Sequence, residues 1–133
     1  LKTLEVKTLE VKVITFNGKQ RSYSVVDRNI TPAPKYFISY NKGNPFISDE
    51  VPEEFRERMV FHELTEFELL QDKPDRCLQA LKSELETVPK NKKEDYLKFR
   101  LEVFESLIDF LKKDDPNSKL IIEVNKSLKY LRE

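Results

Sequence analysis

The spacing of apolar residues changes period at Pro52, and no other feature of the chain constrains its fold as strongly. Before that point the run "KTLEVKVITF" alternates, with Leu9, Val11 and Val13 on one side and Ile14 and Phe16 on the other. Asn17-Gly18 follows, then the β-prone "KQRSYSVV". An Asn-Gly pair between two such runs signals a hairpin, because both turn positions can require positive φ, so a hairpin is expected over 9–27. After Pro52 the apolar residues recur every three and four positions, which predicts helices over about 52–71, 75–88 and 92–113. Leu97, Leu101, Phe104, Ile108 and Leu111 form the stripe of the third, and Ile121, Val124, Leu128 and Leu131 mark a terminal helix. The sum is an α+β chain, an N-terminal β-hairpin or small sheet followed by about four helices. Its 133 residues suit a single domain, with 1–51 as the β-rich and loop portion and 52–133 as the helical portion.

Two stretches are less regular. "KTLEV" occupies 2–6 and again 7–11, and a five-residue repeat on a two-residue alternation turns its apolar residues to opposite faces. The copies cannot both continue one regular strand, and the repeat invites a slip of register or pairing with another chain. The segment 27–52 holds four of the seven prolines around "KYFISY". Proline removes a backbone donor, which limits this region to loop and one short edge strand, a wall for a groove. Ser48 or Asp49 can cap the first helix, and Asp72 or Asp75 the second.

Charge and cysteine narrow the setting. Lysine plus arginine (24) equals aspartate plus glutamate (24), so no positive field favours nucleic acid or an acidic membrane surface. The lone Cys77 cannot form an internal disulfide, and no apolar run is long enough for a bilayer span. A cytoplasmic setting is the expectation, with a peptide or protein as substrate or partner.

The anomaly lies on the first two helices. Projected at about 100° per residue, the first places His62, Glu63 and Glu66 inside the apolar arc of Phe55, Met59, Leu69 and Leu70, with Thr65 and Glu68 opposite. The second has Glu84 in an arc with Cys77, Leu81 and Leu85. If these arcs face each other, His62, Glu66, Cys77 and Glu84 converge. Buried carboxylates cost several kcal/mol unless paired or bound to a cation, and no lysine or arginine clearly belongs to either arc. A divalent metal would neutralise them; histidine, glutamate and cysteine are ordinary zinc ligands, and the i, i+4 spacing of His62 and Glu66 suits the task. The plain alternative is a less buried helix whose acids pair with Arg56 or Lys73.

"HELTE", 62–66, resembles the H-E-x-x-H helix of the zincin metallopeptidases. The resemblance spans about 35–90. It implies zinc as cofactor, His62 as first ligand, Glu63 as general base, Glu66 in place of the second histidine, and a third ligand from Cys77 or Glu84. It also implies that "KYFISY" is the edge strand beside the site, where substrate would lie along Tyr36, Ile38 and Tyr40. Carboxylate and thiolate ligands lower the charge at the metal relative to imidazole. Two other readings use the same residues: a catalytically silent interaction module, and a thiol hydrolase with Cys77 as nucleophile and His62 as base, for which no asparagine or aspartate is placed to orient the imidazole.

Overall fold

The computed structural model describes residues 7–28 and 34–133. The first KTLEV copy lies outside them. A four-stranded sheet, in the order β1 (Thr8–Phe16), β2 (Lys19–Val26), β4 (Asn44–Ser48) and β3 (Ile38–Asn41), precedes four helices, the expected α+β arrangement. Strands β1 (Thr8–Phe16) and β2 (Lys19–Val26) pair antiparallel through the Asn17-Gly18 turn. Asn17 and Gly18 have φ of 52° and 78°, the left-handed geometry that fits a two-residue turn to twisted strands.

The segment expected as loop and one edge strand forms a second hairpin. Strand β3 (Ile38–Asn41) is the edge strand, and β4 (Asn44–Ser48) lies inside the sheet, antiparallel to β3 and parallel to β2. Lys42 and Gly43 make the turn with φ of 51° and 85°. Pro45 is tolerated in an inner strand because the ladder to β2 begins one residue later, at Phe46, so no bond to β2 needs its missing N–H.

Helix α1 (Glu53–Leu64) runs into a π turn over Thr65–Leu69, so the first helical segment is shorter and less regular than its pattern suggests. The turn is closed by a hydrogen bond of 3.0 Å from the Leu70 N–H to the Thr65 carbonyl. Widening the helix there changes the face of its last residues. Thr65, expected toward solvent, is buried, and Glu68 turns to the sheet, where it pairs with Arg21. No side chain caps α1: the Ser48 hydroxyl donates to the Lys35 carbonyl, and the Asp49 carboxylate accepts the Arg28 N–H. Helix α2 (Arg76–Glu86) starts at Asp75, whose carboxylate meets Lys126 at 2.6 Å instead of capping. A 3-10 turn over Lys90–Lys92 leads into α3 (Lys93–Asp114), and α4 (Leu120–Arg132) closes the chain. Among the described residues, no helix is long and apolar enough to cross a membrane.

The core lies between the inner face of the sheet and the helices. Phe16, Tyr23, Val25 and Ile47 pack with Met59, Val60 and Leu64 of α1, Leu81 and Leu85 of α2, Phe104 and Ile108 of α3, and Val124 and Leu128 of α4. Ile14 and Phe16 are therefore the inward side of β1, while Leu9, Val11 and Val13 face solvent.

Candidate metal centre

All four helical segments contribute to one buried polar cluster. His62 and Glu63 come from the last turn of α1, Glu66 from the π turn, Cys77 and Glu84 from α2, Tyr96 and Arg100 from α3, and Ser127 from α4; all eight are buried. A less buried helix is thereby ruled out for Glu63 and Glu66. Arg56 does not serve them, since its guanidinium takes the carbonyls of Val51 and Asp49.

The imidazole of His62 divides the cluster. Its Nε2 lies 3.3 Å from Glu66 Oε2 and 3.9 Å from Cys77 Sγ, and the ligand atoms of these three residues all fall within 4.8 Å of one another. Its Nδ1 lies 2.8 Å from Glu84 Oε1. Three of the four candidate ligands thus converge on one point, and Glu84 stands on the other side of the ring. Glu84 is instead held by α3: Tyr96 donates its hydroxyl to Oε2, and Arg100 places Nε 2.9 Å from Oε2 and Nη2 3.2 Å from Oε1. The cation missing from the first two helices comes from Arg100, whose guanidinium also lies over the Phe104 ring, 4.6 Å from its centroid.

Tyr96, Arg100 and Ser127 were not singled out from the sequence. Arg100 carried a usable signal, because it lies four residues after Tyr96 and four before Phe104, inside the buried face of α3. That face runs through Tyr96, Phe99, Val103 and Phe104, with Leu97 and Leu101 at its margin. Ser127 carried none; its hydroxyl donates to Cys77 Sγ at 3.2 Å, a contact only the fold creates.

Protonation follows from this geometry. Burial tends to raise the Glu84 carboxyl, but Arg100 foremost, with His62 and Tyr96, holds it below the usual carboxylate range. Burial alone would lower the imidazole; hydrogen bonds with Cys77, Glu66 and Glu84 outweigh it and hold His62 well above 6.5. Each ring nitrogen faces a carboxylate oxygen, and an ionised carboxylate only accepts. Glu84 is held ionised, so Nδ1 carries a proton for it, and Nε2 is left facing Glu66 and Cys77. Glu63 behaves differently: burial, then the neighbouring Glu66, pushes its carboxyl up to about 8.

The donor set fits zinc. From ordinary Zn–N, Zn–O and Zn–S bond lengths, the edges of a tetrahedral site are about 3.3 Å for N···O and about 3.6 Å for N···S. The observed 3.3 and 3.9 Å are close to both. Neutral imidazole with one carboxylate and one thiolate balances a divalent charge, which permits full burial. Glu84 on Nδ1 supplies the carboxylate that fixes the ring's tautomer and orientation in metal-binding histidines.

A cavity of about 620 Å³ reaches this cluster and is lined by His62, Glu63, Glu66, Cys77 and Arg100. Tyr36 and Ile38 line it as well. Tyr40, the third residue of the expected substrate strand, turns elsewhere: its hydroxyl donates to Glu68 at 2.6 Å and its ring stacks on Phe67. Compared with protein-family models, curated proteins and solved structures, the chain matches none.

Proposed function

We propose that this chain is a zincin-like metal-binding protein that holds one zinc ion through His62 Nε2, Glu66 and Cys77, and that Glu63 serves it as the general base of a hydrolase. The observation that carries this reading is the convergence of three buried donors, within 4.8 Å of one another, on one nitrogen of His62, while Glu84 holds the other. When bound, zinc with three protein ligands supplies Lewis acidity at an open fourth position. The chain's own residues do the rest. Glu84, fixed by Tyr96 and Arg100, keeps the Nδ1 proton in place and so turns the Nε2 lone pair toward Glu66 and Cys77. Glu63 lines the same cavity, and with its carboxyl pushed up to about 8 it can hold or release a proton near neutral pH. Tyr36 and Ile38 form the wall along which an extended peptide would lie, beside the outer edge of β3, which no strand among the described residues pairs with.

The direct test is elemental analysis of protein purified without chelator or histidine tag. Near-stoichiometric zinc is expected in wild type and in Glu63→Gln, with loss in His62→Ala, Glu66→Ala and Cys77→Ala. Any peptide hydrolysis should vanish in Glu63→Gln. No metal in wild type, even after zinc is added back, would refute the reading.

One observation favours a second reading. Glu84 supplies the orienting group that a Cys77–His62 thiol hydrolase lacked in the sequence. Alkylation of Cys77 that abolishes activity in the presence of EDTA would select it over the metal site.

A further inference from the structure

Strand β1 ends the sheet, and among the described residues nothing pairs with its outer edge. Phe16 and Lys19 flank the two-residue turn and so exchange backbone hydrogen bonds across the hairpin. Counting back by twos, Ile14, Lys12 and Glu10 direct their peptide groups to β2, while Val13 and Val11 direct theirs outward. The same strand exposes apolar side chains that a lone sheet edge would ordinarily replace with charge: Leu9 is 48%, Val11 64% and Val13 57% exposed. A free row of donors and acceptors beside an apolar stripe is a template for another strand.

The charges of β1 indicate which strand. In an antiparallel pairing of two copies centred on Val11, Glu10 of each copy faces Lys12 of the other, and the bulge at Leu9 ends the regular ladder just beyond. Centring on Glu10 or on Lys12 instead sets like charges face to face. Glu10 lies 3.4 Å from Arg56 and Lys12 3.6 Å from Glu53, so the Val11 register would join four charges of alternating sign across the seam, twice by symmetry. The Glu10 and Lys12 pairs would occupy the non-hydrogen-bonded sites, where facing side chains approach most closely. We infer that β1 is a homodimer interface, pairing antiparallel with β1 of a second copy of this chain in the register centred on Val11 and joining the two sheets into one. This surface lies on the sheet edge away from β3 and the metal centre, and it does not depend on metal binding.

Sedimentation velocity of the full chain over a wide concentration range tests it. A concentration-dependent dimer is expected in wild type. Glu10→Lys alone or Lys12→Glu alone places like charges opposite at two symmetric sites and should weaken dimerisation roughly tenfold or more. Glu10→Lys together with Lys12→Glu restores complementary pairs and should restore the dimer. The register is checked by oxidation: Val11→Cys faces its own copy at a Cα separation of about 5.5 Å, within disulfide reach, and should cross-link, whereas Val13→Cys lies two positions off the axis and should not. Circular dichroism on each variant confirms folding. A monomer at every concentration, a folded double variant that stays monomeric, or equal cross-linking at both positions would overturn the proposal.

Discussion

Glu63 offers the most demanding test of the buried cluster, because its carboxyl is held away from the ionised state by the fold itself. With its pKa pushed up to about 8 by burial and by Glu66, it stays protonated at neutral pH in the folded protein and ionises in the unfolded chain near 4.5. A group whose folded pKa is the higher one contributes its stability below the unfolded value and loses it as pH rises through the folded value. The loss here runs from about pH 4.5 to about pH 8. At about 1.36 kcal/mol per pH unit, wild type gives up about 3 kcal/mol between pH 4.5 and 7 from this group, and about 4 kcal/mol by pH 8. That is a large share of the roughly 5–15 kcal/mol by which domains are stable. Glu63→Gln cannot ionise and should lack this slope. The amide brings its own donors into the cluster at a cost of up to about 3 kcal/mol that does not vary with pH, so the change with pH carries the test. The assay is urea unfolding of both proteins at several pH values from 4.5 to 8 in EDTA, where no metal can occupy the site. The difference in favour of Glu63→Gln should grow by about 3 kcal/mol between pH 4.5 and 7. Parallel pH curves for the two proteins would refute the reasoning.

Arg100→Met should destabilise the protein by about 3–5 kcal/mol in the same assay, since it strands the charge of Glu84 in the core. Nitrogen NMR of His62 at neutral pH should show both ring nitrogens protonated in EDTA, as a pKa held well above 6.5 requires, and loss of the Nε2 proton on adding zinc. The same imidazolium adds stability that is complete below pH 6.5 and lost as pH rises through its raised value, visible as a second slope in the metal-free urea series. Gly18→Ala should cost about 1 kcal/mol in thermal unfolding. A Cβ there meets nothing within 4 Å, so the whole penalty is the left-handed backbone at φ 78°.

Much of the layout was legible in local pattern. The Asn-Gly hairpin, the change of period at Pro52 and the polar trio on an apolar arc depend on residues within one or two turns of each other, where spacing alone decides the face. The second hairpin was harder to see, because Pro45 counts against an inner strand until the point where the β2 ladder begins is known. The π turn was invisible for a related reason: one widened turn carries Glu68 to the sheet, and a projection at constant pitch cannot register it.

The sequence by itself determined the residue types at the site, the helices that carry them and the need for a compensating charge, since a buried carboxylate is costly in any fold. Only the tertiary structure decided how that need is met. It brought Arg100 and Tyr96 from α3 against Glu84, setting that carboxylate behind the imidazole and leaving His62 Nε2, Glu66 and Cys77 to converge. Glu84 lies 12 positions before Tyr96, 16 before Arg100 and 22 after His62, and no periodicity relates helices that meet through packing. Which carboxylate faces the ring's Nδ1 and which its Nε2 is a matter of helix docking, a three-dimensional choice that a one-dimensional pattern does not record.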